Sequence, residues 1–313
     1  MKTRRYCVAG LLIFLIYLIG SSGCTFVPTA TTITPSPAPI SPTLPPSETP
    51  SLVESPTPTL LQEPLSPSTH PIVIYPPYES RSGYLLGGTL DGNWLDSTAI
   101  ASDLIGGEAY SLYSDTAFLG TSTGSAPVAG APYCPWIKDV TLDPQPRQVS
   151  VVALAGDWNP LPRIPQEIST ENWIYLQAVK DLLEANDIGD SKVQLTRVLK
   201  IDLEGDGVDE ILVAASYFYE ETGHNITPGD YSIVVLRKVM GNEVVTLPMP
   251  ADFYYRAQQY AMPEKYTIMG VMDLNGDDRM EILVGVTGWE KVGTLVYDVV
   301  DFKVQNVLSM QCP

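Results

Sequence analysis

After about residue 80 the apolar residues fall into short blocks separated by polar turns. Tyr84 to Thr89 reads as a strand, Asp91-Gly92 is a tight-turn signal, and Asn93 to Leu95 begins the return. Thr98 to Ile105 has helical spacing, Ala109 to Tyr113 alternates as a strand, and Val149 to Leu154 forms another. Residues 120–135 are rich in Gly, Ser, Ala and Pro and predict a loop. Together these elements predict a small α+β unit over residues 76–165.

The clearest helical period follows Ser169-Thr170. Thr170 is the expected cap, and Trp173, Leu176, Ala178, Val179, Leu182 and Leu183 form the expected buried stripe, ending near Asn186. Eight strands are then predicted, at about 194–202, 210–217, 231–238, 243–247, 267–273, 280–287, 293–300 and 303–309. They divide into two similar sets of four. Each set is strand, acidic loop, strand, then two more strands, which is an internal repeat. The expected fold class is therefore mainly β (α+β): two four-strand antiparallel units with strand–loop–strand hairpins, one packed helix, and the smaller N-terminal part. Residues 166–313 hold the helix and the repeat. A closed propeller is not expected, because it needs at least four blades and two are visible. A compact two-sheet or barrel-like domain fits better.

The first 75 residues follow a different pattern. Lys2, Arg4 and Arg5 precede an apolar run from Cys7 to Ile19, and Ser21-Ser22-Gly23-Cys24 follows. This predicts a secretory signal over 1–23, too short in its apolar part for a spanning helix. The sequence resembles the bacterial lipoprotein signal, although Ser21 stands where an apolar residue is usual. That resemblance implies lipidation of Cys24, with palmitate among the acyl groups, and anchoring of the exported chain at the cell envelope. Residues 24–75 are dominated by Pro, Thr and Ser and predict a disordered linker. About 50 such residues in polyproline II conformation reach on the order of 150 Å.

Composition narrows the partners. The chain has 18 Lys+Arg against 36 Asp+Glu, a formal charge of −18, and loss of the signal removes three more cations. Such acidity argues against nucleic acid and anionic membrane surfaces, which select basic patches. Four cysteines occur. With Cys7 in the signal and Cys24 lipidated, Cys134 and Cys312 remain, and in an exported chain they predict a disulfide.

The most specific chemistry lies in the two acidic loops. The first runs from Asp202 through Glu204, Gly205 and Asp206 to Glu210; the second runs from Asp273 through Asn275, Gly276 and Asp277 to Glu281. Oxygen-bearing side chains fall at positions 1, 3, 5 and 9 of both. Val208 and Arg279, at position 7, would each add a backbone carbonyl. Such a donor set suits a hard cation, and predicts one or two bound Ca²⁺ ions. Position 12 is Val213 or Val284, not the bidentate Glu of an EF-hand. The pattern resembles the strand–loop–strand calcium sites of FG-GAP repeats, as in integrin α-chain propellers. That resemblance implies Asp202, Glu204, Asp206 and Glu210 as side-chain ligands in one site, and Asp273, Asn275, Asp277 and Glu281 in the other. It covers two stretches of about 15 residues. Glu204 is longer than the usual Asp or Asn, and Asp278 replaces the usual Gly at position 6, which predicts strain there.

No catalytic residue is assigned. No phosphate loop or dinucleotide fingerprint occurs. His224 lies in a polar segment and reads as a loop histidine, the one histidine expected in the folded part. Glu220 and Glu221 are adjacent and would point to opposite faces of a strand, a poor acid–base pair. Trp158 and Trp289, beside loops, are the better candidates for stacking on sugars. Trp173 is expected in the core. Tyr217-Phe218-Tyr219 and Phe253-Tyr254-Tyr255 would line a groove or pack across strands. The leading expectation is a non-enzymatic surface lipoprotein with a calcium-binding β domain that serves adhesion, scaffolding or ligand binding, with a surface protein or glycan as partner. The alternatives are a carbohydrate-active hydrolase using carboxylates outside the loops, and an envelope-assembly protein that binds another protein.

Overall fold

A computed structural model describes residues 68–75, 82–147, 150–220, 225–261, 263–288, 291–300 and 303–312. The signal, Cys24, the linker up to residue 67, Glu221, His224 and Trp289 lie outside the described residues. The protein is mainly β, its sheets are antiparallel, one of them curls into an open half-barrel, and none closes a propeller.

The first sheet contains β1 (Thr69–Tyr75), β2 (Gly83–Leu90), β3 (Asn93–Asp96), β4 (Ala109–Tyr113), β5 (Phe118–Gly124), β6 (Val128–Ala129), β7 (Lys138–Val140), β8 (Leu142–Asp143) and β9 (Val151–Leu154). The strand order is β6-β7-β2-β1-β9-β4-β5-β8, with β3 also on β2. Asp91 and Gly92 both have positive φ (50° and 77°), the conformation that a two-residue hairpin between β2 and β3 requires. The segment expected as loop at 120–135 contributes β5 and β6. Its small residues carry no apolar signal: pairing with β4 and β8 holds β5, and pairing with β7 holds β6 at the sheet edge. The predicted helix at 98–105 is shorter, α1 (Ser97–Ala101), capped by Asp96. β1 lies in the stretch that composition assigned to the linker. Ile72, Val73 and Ile74 are fully buried in it.

The second sheet contains β10 (Gln166–Glu167), β11 (Leu195–Ile201), β12 (Glu210–Tyr217), β14 (Tyr231–Met240) and β15 (Glu243–Phe253), in that order. A two-stranded ribbon is formed by β13 (Asn225–Ile226) and β16 (Gln258–Gln259). The third sheet is a meander of β17 (Lys265–Met272), β18 (Glu281–Thr287), β19 (Val292–Val300) and β20 (Lys303–Cys312).

Alternation along the strands sets the stacking. Leu212, Ala214, Val234 and Leu236 of the second sheet share a core with Ile268, Ile282, Val284 and Val286 of the third. Val213, Ala215, Ile233 and Val235 point the other way and meet Val179 and Leu183 of the helix α2 (Trp173–Ala185). Leu283, Val296, Leu308 and Met310 of the third sheet pack on Ile72, Ile74, Leu86 and Leu154 of the first. Strands covered on both faces read as continuous apolar runs, which is why β12 and β18 look alike in sequence. Burying one such aliphatic side chain contributes about 1.5–3 kcal/mol, so these shared layers dominate cohesion. The first sheet lies in the N-terminal part, and the second and third lie in residues 166–312.

Two details of α2 differ from expectation. Its cap is Asn172, whose side chain accepts from the Ile174 N–H at 3.0 Å. Trp173 is 73 % exposed. It sits in the first turn, where the buried stripe has not yet met the sheet.

Candidate cation site

Both acidic loops are hairpin connections, the first between β11 and β12 and the second between β17 and β18. Each coils around its leading aspartate. Asp202 Oδ1 accepts from the N–H groups of Gly205 (2.7 Å) and Asp206 (3.2 Å), and Oδ2 from Gly207 (2.9 Å). Asp273 does the same with Gly276 (2.6 Å) and Asp278 (3.0 Å). The position-9 glutamates tie back to position 2. Glu210 Oε2 accepts from Leu203 N–H (2.9 Å), and Glu281 Oε2 from Leu274 N–H (2.7 Å). Further turns are closed by Val208 N–H on Asp206, Asp277 N–H on Asn275 and Arg279 N–H on Asp277. Position 6 is Gly207 (φ 84°) in the first loop and Asp278 (φ 65°) in the second. A side chain in that left-handed region costs roughly 1 kcal/mol or more.

The loops are joined to each other. Met280 N–H donates to the Leu203 carbonyl. Arg163 donates Nε to the Asp202 carbonyl (2.6 Å) and Nη2 to the carbonyls of Leu203 (3.2 Å) and Asp278 (2.6 Å). Trp158 donates Nε1 to the Asp273 carbonyl (2.8 Å) and lies over Gly276, where a Cβ would stand 3.0 Å from the indole. Trp158 is half-buried and tied to the second loop. His70, on β1, meets Trp158 edge-on at 4.8 Å and contacts the Ala155 carbonyl at 2.8 Å. It belongs to the fold, so His224 is not its sole histidine.

The surroundings of the two position-9 glutamates differ sharply. Ile211 pairs with Arg237 and Ile282 with Tyr297. One step further along, Lys238 stands opposite Glu210 and Asp298 opposite Glu281. Lys238, 4 % exposed, donates Nζ to Glu210 Oε1 (2.7 Å) and to Glu204 Oε2. Burial alone would favour the neutral amine, but the two carboxylates outweigh it and hold Lys238 charged.

The second loop has no such lysine. Glu281 is 0 % exposed, and its Oε1 has no hydrogen-bond partner. Burial, partly offset by the Leu274 N–H and reinforced by the charges of Asp277, Asp273 and Asp298, pushes its pKa up to about 9. Asp273 is likewise raised by burial, against its N–H donors. Asp202 is lowered, because three backbone N–H groups outweigh its desolvation. Asp298 is raised by burial, against the pull of Arg279. Arg279 itself bonds the Val299 carbonyl and lies 3.6 Å from Glu204, with its Nε buried and unpartnered.

Searches against family models, curated proteins and solved structures find no match to this chain. Among the described residues no three His, Cys, Asp or Glu side chains converge in a geometry ready to hold a metal ion. The residues of the second loop fit a hard cation in chemistry, with oxygen donors only and one buried oxygen unsatisfied. A bound ion would require their carboxylates to turn inward. The first loop fits less well, because an ammonium already occupies the space between Glu204 and Glu210.

Lys238, Asp298, Arg163 and Trp158 are the residues that sequence reading did not assign to the loops. Strand register alone brings the first two to their glutamates. The one sequence signal is the Arg237-Lys238 pair of charges late in a largely apolar strand.

Elsewhere, Tyr217, Tyr219 and Tyr255 line an open cleft of about 460 Å³ with Asp187, Asp190 and Lys192. Glu220 accepts from Asn225 (2.7 Å). Cys134 and Cys312 form a disulfide, Cα atoms 5.7 Å apart, beside the bond from Trp136 Nε1 to the Gln311 carbonyl. No helix among the described residues is long and apolar enough to cross a membrane.

Proposed function

We propose that this chain is an exported surface protein, lipidated at Cys24, whose β domain is a non-enzymatic binding or adhesion module stabilised by calcium. In this reading the second and third sheets are two copies of one four-strand unit, each with its acidic hairpin. The observation that carries it is the Glu281 carboxylate, fully buried with one oxygen unsatisfied beside Asp273, Asp277 and Asp298. Charging a buried carboxyl without a counter-charge is costly, so Glu281 holds its proton, and a divalent ion would remove that cost by taking the proton's place. The test is thermal unfolding with and without excess chelator. Chelation is expected to lower the melting temperature by several degrees, in line with loss of a ligand that binds only the folded state. An unchanged melt, with no ion found on titration, would sink the proposal.

A second reading places saccharide binding in the tyrosine cleft. Three tyrosines beside carboxylates offer stacking faces and hydrogen-bond acceptors. A glycan-array screen of the native protein against a Tyr219→Ala, Tyr255→Ala variant tests it; binding that survives the substitutions would exclude the cleft.

A further inference from the structure

The two acidic loops have the same backbone scheme, yet the strand that follows each hairpin brings it an opposite charge. Glu210 faces Lys238; Glu281 faces Asp298. We propose that the loops are not equivalent: Lys238 is the permanent internal cation of the first, and only the second takes a divalent metal ion, with Asp298 added to Asp273, Asn275, Asp277 and Glu281. This rests on the calcium reading above and sharpens it to one site.

Three observations support the division. Lys238 Nζ is bonded to the carboxylates at positions 3 and 9 of the first loop, Glu204 and Glu210, so the two groups a metal would bridge are already bridged. Breaking a buried pair of this kind leaves an uncompensated charge, so a metal would have to displace a well-bound ammonium. In the second loop the corresponding position supplies a further carboxylate instead. Glu281 there keeps one oxygen free of partners while its other oxygen holds the Leu274 N–H. That leaves an acceptor that is buried, geometrically fixed and in need of a positive charge.

Arg279 does not fill that role. It is near enough to Asp298 to offset part of its charge, but its guanidinium bonds the Val299 carbonyl and pairs with Glu204 of the other loop. Asp273, Asp277, Glu281 and Asp298 with the Asn275 amide oxygen give five side-chain oxygens. The donor set contains neither nitrogen nor sulfur. That selects a hard ion, and Ca²⁺ above softer metals, because it accepts six to eight oxygens in flexible geometry.

The test is calorimetric titration of the full chain with CaCl₂ after chelator treatment. One ion per chain is expected. Glu281→Gln and Asp298→Asn should each weaken binding by about tenfold or more, while Asp202→Asn should still bind one ion per chain, its affinity falling by less than in either of those variants. Asp298→Lys copies the first loop's arrangement into the second. That variant should bind no calcium and should melt at the same temperature with and without chelator. Two ions per chain would overturn the inference while leaving the calcium reading intact. A single ion lost in Asp202→Asn and kept in Glu281→Gln would overturn it in the same way. No binding at all would remove both. The isosteric Asp298→Asn variant keeps the test open if Asp298→Lys does not fold.

Discussion

Met280 donates its backbone N–H to the carbonyl of Leu203 at 2.9 Å, so the second acidic hairpin is bonded directly to the first. The two hairpins lie on neighbouring sheets, and whatever orders one is transmitted to the other. Arg163 reinforces the link with donors on three carbonyls drawn from both loops.

Replacing Arg163 should therefore loosen both hairpins at once. Arg163→Ala leaves the carbonyls of Asp202, Leu203 and Asp278 without this donor. Bonds to a charged donor contribute about 1.5–3 kcal/mol each at best, and water will recover part of that. A loss of roughly 2–3 kcal/mol in urea unfolding is expected. Hydrogen exchange should rise at the amides of residues 203–207 and 274–280 together. Faster exchange confined to one loop would refute the coupling.

Asp278 offers a stabilising change. Its φ of 65° is the left-handed conformation, which Gly207 occupies without penalty at the same place in the first loop. Only the Asp278 backbone is used in the bonds that hold the hairpin. Asp278→Gly should stabilise the protein by about 1 kcal/mol, less the extra entropy of glycine in the unfolded chain. A drop in the denaturation midpoint would show that the carboxylate has an undetected role.

How far the sequence alone reaches can be seen in β12 and β18. Glu210-Ile211-Leu212-Val213 and Glu281-Ile282-Leu283-Val284 announce themselves as strands because local pattern and burial agree. The hairpin loops are legible for the same reason, since aspartate, glycine and spacing act within nine residues. Lys238 and Asp298 are not legible as loop residues. They reach the glutamates through pairing with a strand that arrives after connections of different length, and nothing local encodes that register. β1 is masked by composition, since Thr69-His70-Pro71 opens it straight after the Pro/Ser-rich stretch. β5, Phe118-Leu119-Gly120-Thr121-Ser122-Thr123-Gly124, is not legible because its small residues pair with β4 and β8 without carrying an apolar signal. Trp173 was misplaced because helical period gives the face but not where along the helix the sheet begins.

The disulfide joins residues 178 apart, tying the first sheet to the last strand. Closing so long a loop removes much of the unfolded chain's freedom, about 5 kcal/mol in the chain-entropy view. Cys134→Ser with Cys312→Ser should lower unfolding free energy by a few kcal/mol. It should also free the end of β20 first, since Trp136 holds the Gln311 carbonyl by a single bond. Limited proteolysis of the double variant is expected to clip near the C-terminus before any other site within residues 68–312. Cleavage elsewhere first would mean the third sheet holds that strand unaided.

Alkaline pH should expose the contribution of Tyr231. Its ring is fully buried between α2 and the second sheet. Its hydroxyl donates to the Lys192 carbonyl (3.1 Å) and accepts from the Gln194 N–H (3.0 Å). Burial, eased slightly by that N–H, raises its pKa from 10.0 to about 12. A phenol that ionises less readily when folded stabilises the protein fully below the unfolded value near 10, and that advantage is lost as pH climbs through 12. Two pKa units correspond to about 2–3 kcal/mol. Unfolding free energy measured from pH 9 to 12.5 should therefore fall, and Tyr231→Phe should fall less steeply over the same interval, though from a lower starting point. Parallel curves for the two proteins would mean that the phenol ionises equally well in both states, and that its buried bonds to the Lys192–Gln194 segment do not hold its proton.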